Sequence, residues 1–230
     1  NCKSTSIPTN DNQVLLVKRD QKLNPFVIAC GTAYQGMCYI MKISNLLGGL
    51  FGAPDKPINY VASQKSTVAF FADVPYASEK VLFIGAQYDN RPKKFSIPAV
   101  SARIFTLADK KPSLSYVSSG NGAETKVELK GAHKQHPIQY VYGFEDKKYV
   151  YFLTTHPNLQ SGDVETKLAR ICKQDNQFFS YMEIPLICNK EKTYNYATTA
   201  HYIKLSDENE QLFVTFVATK KGTKDIDYNQ

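Results

Sequence analysis

The sequence has no tryptophan, no Cys-x-x-Cys pair and no Asn-x-Ser/Thr sequon. Its apolar runs are also too short for a bilayer. A spanning helix needs roughly 18–20 continuous apolar residues, so no transmembrane segment is predicted. The missing Cys-x-x-Cys excludes a zinc ribbon and a thioredoxin-type redox pair. The missing sequon counts mildly against an extracellular origin. The first residues, Asn1-Cys2-Lys3-Ser4, lack the charged-then-apolar pattern of a signal peptide, although a signal upstream of this stretch would yield the same chain. No run reaches five like charges, as a basic arm for nucleic acid would. Catalytic signatures are missing too: there is no G-x-S-x-G, no Walker loop and no H-E-x-x-H.

What is present reads as an all-β chain. In 230 residues there are 15 Tyr and 13 Phe, and hydrophobic residues make up 43%. With many Val, Ile and Thr, this composition favours strands. Candidates are Gln13–Lys18, Pro25–Cys30, Met37–Ile43, Thr67–Ala72, Lys80–Gly85, Ala99–Leu107, Leu114–Val117, Thr125–Leu129, Ile138–Phe144, Lys148–Thr155, Lys167–Lys173, Phe178–Ile184, Thr198–Leu205 and Gln211–Ala218. Turn residues at 90–92, 119–122 and 145–148 separate them. The only helical hint, Ser44-Asn45-Leu46-Leu47, stops at Gly48-Gly49.

Several candidates are apolar on both faces: Tyr149-Val150-Tyr151-Phe152-Leu153, Phe70-Phe71, Val81-Leu82-Phe83-Ile84 and Leu212-Phe213-Val214. A two-sheet sandwich shows cleaner alternation. Strands buried on both sides belong inside a stack of sheets, as in a propeller. A strand–turn–strand unit also recurs, at 67–72 with 80–85, 138–144 with 148–155 and 198–205 with 211–218. At four strands per blade the candidates make about three and a half blades, fewer than the roughly four to eight of a closed propeller.

The net charge is +7, and lysines come in doublets at 93–94, 110–111, 147–148 and 220–221. Such doublets suit solvated turn tips, and they also attract acidic partners. There are five cysteines, Cys2, Cys30, Cys38, Cys172 and Cys188, an odd number. Cys30 and Cys38 close a strand–loop–strand unit at a spacing that serves equally a disulfide staple or two reduced, buried thiols. His133-x-x-His136 has no carboxylate or cysteine close by and makes no metal site.

Four stretches carry a family resemblance. Cys30-Gly31-Thr32-Ala33-Tyr34-Gln35-Gly36-Met37-Cys38 resembles the C-G-x-x-[YW]-Q-G-x-C hairpin of sema domains in plexins and in the hepatocyte growth factor receptor. Ile138–Phe144 followed by Tyr149–Thr154 resembles paired strands of a plexin sema blade. Thr166–Asp175 with Ser180–Cys188 is the most specific match, and Pro98–Arg103 is similar to a further plexin stretch. Tyr34-Gln35-Gly36 and Tyr140-Val141-Tyr142-Gly143-Phe144 favour plexins over the growth factor receptor. The stretch 107–134 matches no family pattern.

The resemblance implies a partial sema domain over 1–230, about the N-terminal three to four blades of a seven-bladed propeller, with approximate units at 1–45, 60–110, 111–190 and 194–230. It implies the ectodomain of a single-pass receptor that binds a semaphorin-type ligand through sema–sema contact, with receptor homo-oligomers as a second partner class. Cys30 and Cys38 would pair locally, Cys2 with a cysteine upstream, and Cys172 and Cys188 with cysteines downstream; Cys172–Cys188 pairing is the alternative. No cofactor, metal, nucleic acid or membrane contact by this segment is expected. The family implies ligand contact near the third blade, here Asp109, Lys110, Lys111, Lys130, His133, Lys134 and His136, a basic, histidine-bearing surface that would steer an acidic face. A propeller enzyme with a channel site and a pure receptor–receptor scaffold are the competing classes.

Overall fold

The computed structural model describes residues 9–19, 25–46, 57–108, 111–117, 126–127, 137–189, 193–206, 209–223 and 225–227. Among these the chain is built of strands, with three single 3-10 turns and no α-helix. The first sheet is β1 (Asn12–Lys18), β2 (Phe26–Gly31) and β3 (Cys38–Lys42), in that order. The second is β4 (Thr67–Ala72), β5 (Val81–Ala86), β6 (Val100–Ala108) and β7 (Lys111–Tyr116), with β8 (Lys126–Val127) also pairing to β6. The third runs β9 (Gln139–Glu145), β10 (Tyr149–Pro157), β11 (Val164–Cys172) and β12 (Met182–Leu186). A short ribbon of β13 (Cys188–Asn189) and β14 (Thr193–Tyr194) leads to a last pair, β15 (Tyr196–Lys204) and β16 (Glu210–Val217). The pairings within these sheets are antiparallel.

The sheets stack face to face about their first strands. β1 lies against β4, β4 against β9, and β9 against β15. This radial order is why the middle strands are apolar on both sides. All six residues of β5 are buried. Val81 and Phe83 enter the core between the second and third sheets, with Val100, Ala102, Val150, Phe152, Ala169 and Ile171. Leu82, Ile84 and Ala86 enter the core between the first and second, with Ile28, Ile40, Phe105 and Leu114. One alternating strand thus feeds two cores, each buried large side chain contributing roughly 1.5–3 kcal/mol.

Two glycines let the second and third sheets approach closely. A Cβ on Gly85 would come within 2.3 Å of the Tyr140 ring, and one on Gly143 within 2.3 Å of the Phe70 ring. On its other side the third sheet meets the fourth through a stack of rings. Tyr151 lies 4.7 Å from Phe144, and Phe144 lies 4.6 Å from Tyr202. Both ends of the stack show apolar side chains to solvent: Leu15 and Val17 of β1 at one end and Phe213 of β16 at the other.

The strand–turn–strand repeats are present as β4–β5, β9–β10 and β15–β16. Three local readings differ. Residues 44–46 do not start a helix; the chain turns there and Asn45 bridges back to Lys42. β7 joins the second sheet rather than opening a unit at 111, because its two-residue connection to β6 leaves only antiparallel pairing with that strand. Phe178 is not in a strand. It sits at φ 61° in the β11–β12 connection and plugs the core against Phe83, with ring centres 6.0 Å apart.

Candidate functional site

The described chemistry concentrates at the β2–β3 hairpin and the loops behind it. Cys30 and Cys38 face each other across the pair, with Cα atoms 4.0 Å apart, and form a disulfide. Both are buried. Reducing it, or making the double change Cys30→Ala/Cys38→Ala, is expected to cost about 2–3 kcal/mol in the chain-entropy account of so short a loop. Urea denaturation with and without reductant measures this; overlapping curves would show that the bond constrains nothing the sheet does not already hold.

Beyond the disulfide the chain turns through three successive left-handed residues, Tyr34 (φ 50°), Gln35 (φ 62°) and Gly36 (φ 79°). They are held from behind. The Gly36 carbonyl accepts the N–H groups of Val61 and Ala62 at 2.8 and 3.0 Å. Gln64 Nε2 donates to the Thr32 carbonyl at 2.6 Å. Arg91 donates from Nη1 to the Gln35 carbonyl and from Nη2 to the Ala62 carbonyl. Its guanidinium is paired with Asp89, and both side chains are almost fully buried. Asp89 also accepts the Gln64 N–H at 2.8 Å. Burial pushes the Asp89 carboxyl up, but the Arg91 hydrogen bonds and charge and the Gln64 N–H outweigh it, holding the group below the usual carboxylate range. In the sequence these residues register only as the turn at 90–92, since nothing local indicates that Arg91 reaches back to a hairpin more than fifty positions earlier.

Of the expected ligand-contact residues, Asp109, Lys110, Lys130, His133, Lys134 and His136 lie outside the described residues, as does Cys2. Lys111 begins β7, with its backbone opposite Ala108. The other flank is anchored by Val127, opposite Val100. These two anchors stand at opposite ends of β6, roughly 26 Å apart at strand rise.

Cys172 and Cys188 are not joined to each other; both are free thiols, one half-buried at the end of β11 and the other exposed. They stand in different sheets, Cys172 at the end of β11 and Cys188 at the start of β13. His156 is buried in β10, with Nε2 3.9 Å from Glu183 Oε2. Desolvation first, then the nearby Lys167 charge, hold its pKa below the ordinary 6.5. Among the described residues no three His, Cys, Asp or Glu side chains cluster in a way that could hold a metal ion.

No family model matches the chain. Individual relatives do. Human (Homo sapiens) plexin-A4 is 31% identical over 206 residues, covering 82% of this chain. Plexin A3 of Danio rerio is 30% identical over 249 residues, covering 93%. A solved structure of the plexin A4 full extracellular region superposes on 98% of the chain with a TM-score of 0.78 at 27% identity. A plexin-type domain covers most of the chain. The plexin match runs through the radial sheets and the disulfide hairpin alike, and the fold is an all-β sema/propeller type. The chain spans about a tenth of the length of the plexins it matches, 10% for human plexin-A4, and 27% of the solved extracellular chain. The matched structure is extracellular, and a buried disulfide suits that oxidising compartment.

Proposed function

We propose that this plexin-type segment is an extracellular ligand-recognition module of a single-pass receptor, binding a semaphorin-type protein through sema–sema contact and passing the event to transmembrane signalling. The observation that carries the reading is the superposition on a plexin extracellular region over nearly the whole chain. The chemistry is compatible with recognition by shape and charge. The described residues offer stacked sheets and braced loops. On this reading further blades cover Leu15 and Val17 at one end and Phe213 at the other, completing a seven-bladed ring of which this chain supplies three to four blades. The units follow the sheets, with 111–117 belonging to the second.

The ligand surface is assigned to Asp109, Lys110, Lys111, Lys130, His133, Lys134 and His136. Charge reversal of Lys110, Lys111 and Lys134 on the intact receptor ectodomain is expected to weaken binding to a semaphorin ectodomain by about tenfold or more, mostly through slower association and with a reduced salt dependence. Surface plasmon resonance at two salt concentrations measures both. Unchanged affinity removes this surface from the reading while leaving the receptor assignment intact.

A further inference from the structure

We propose that the loops at 32–37, 60–66 and 87–96 form a preorganised interaction surface for an acidic segment of a partner protein. This surface lies on the first two sheets, and none of the residues at 109–136 takes part, so it goes beyond the ligand surface assigned above.

The first observation is where backbone strain sits. Four non-glycine residues of the described chain have positive φ, and three of them, Tyr34, Gln35 and Asn90, are in these loops. Such conformations cost about 1–3 kcal/mol each and persist only where surrounding structure imposes them. Here the buried Arg91–Asp89 pair does so, tying 87–96 to both other loops through the Gln35 and Ala62 carbonyls and the Gln64 N–H. Folding so much structure around the hairpin tip leaves the Tyr34 side chain standing in solvent, 69% exposed. An exposed tyrosine on a braced backbone is a large contact whose main chain loses little freedom on binding.

The second observation is charge. Lys65, Lys93 and Lys94 are exposed in the same loops. Lys94 is drawn over the Phe95 ring, 5.5 Å from its centre. Lys65 and Lys93 have no ion-pair partner among the described residues. The one carboxylate within the three loops, Asp89, is consumed by Arg91. Outside them, the exposed Asp11 pairs through its backbone with Thr32. The surface therefore presents exposed ammonium groups and an exposed tyrosine on loops tied to one another, and it complements a partner carrying carboxylates beside an apolar or aromatic side chain. A sulfated glycan is the poorer fit, because none of the loops holds the run of five or more basic residues that such polymers favour.

The test uses the intact protein and two probes, a short poly-glutamate peptide and heparin, followed by calorimetry at low and physiological salt. The peptide is expected to bind, more weakly as salt rises. Lys65→Glu/Lys93→Glu should lower its affinity about tenfold or more. Tyr34→Asn, which tolerates positive φ but removes the ring, should lower it several-fold. Lys147→Glu/Lys148→Glu, an equally exposed doublet in the β9–β10 turn at the other end of the sheets, should leave it within about twofold. The milder Lys65→Gln/Lys93→Gln pair, checked for unchanged melting, keeps the result readable if charge reversal disturbs folding. Equal losses from both lysine pairs, no effect of Tyr34→Asn, no measurable binding, or heparin binding through Lys65 and Lys93 in place of the peptide would each overturn the proposal.

Discussion

Replacing Arg103 with methionine is expected to destabilise the chain by about 3–5 kcal/mol, the cost of taking a charged donor away from two backbone carbonyls. Arg103 lies in the middle of β6 and is completely buried. Its Nη1 donates to the carbonyl oxygens of Ile58 and Tyr60, the latter at 2.9 Å, and its guanidinium lies 5.4 Å from the centre of the Tyr116 ring. The side chain therefore clamps the segment before β4 to the outer strands of the second sheet. Methionine fills similar volume but offers no donors, so the buried Tyr60 carbonyl and the partly buried Ile58 carbonyl lose their partner, at about 1.5–3 kcal/mol for each bond to a charged group. Lysine should recover only part of the loss, because one ammonium cannot reproduce the planar fork and its contact with Tyr116. The shift in urea midpoint at constant slope measures both variants. A methionine variant within about 1 kcal/mol of the parent would mean the segment at 58–60 is held without the arginine.

A second large effect is expected at Gly36. Gly36→Ala should cost about 3 kcal/mol or more, from two causes that a pair of substitutions separates. The residue sits at φ 79°, where any side chain is strained by about 1–2 kcal/mol. An added Cβ would also stand 1.8 Å from the Ala62 carbonyl oxygen. That carbonyl receives Arg91 Nη2, and the Gly36 carbonyl receives Val61 and Ala62, so moving the strands apart breaks the hydrogen bonds that brace the hairpin. Asparagine tolerates the left-handed region but carries the same Cβ. Gly36→Asn is therefore expected to be nearly as damaging as Gly36→Ala in thermal melts. If asparagine restores stability, backbone conformation and not the close approach governs the site.

The braced loops also separate two kinds of structural information. The strand–turn–strand units were legible because their apolar residues alternate or run continuously within a few positions, as in Val81–Ala86 and Tyr149–Leu153. The cysteine hairpin was legible because Cys30 and Cys38 are local partners on neighbouring strands. Phe178 was misread as a strand residue because an aromatic in an apolar stretch looks the same whether it lies in the ladder or plugs the core from a turn. Arg91 and Arg103 were not legible as anchors, since a charged side chain in a sequence reads as solvated until the fold removes water from it and supplies carbonyls at the right distance.

By itself, then, the sequence determined the strand-rich character, the both-face burial that demands stacked sheets, the closeness of Cys30 and Cys38 on neighbouring strands and the likeness to plexin sema domains. These rest on side-chain pattern and short spacings, which survive without knowledge of distant contacts. The tertiary structure alone decided which strands share a sheet, how one strand divides its residues between two cores, and that Cys172 and Cys188 stay apart. It alone decided, too, that the Cys30–Cys38 hairpin is held at its tip by a buried Arg91–Asp89 pair. Each of these depends on groups far apart in the chain meeting where water is excluded, and only the assembled sheets set that geometry.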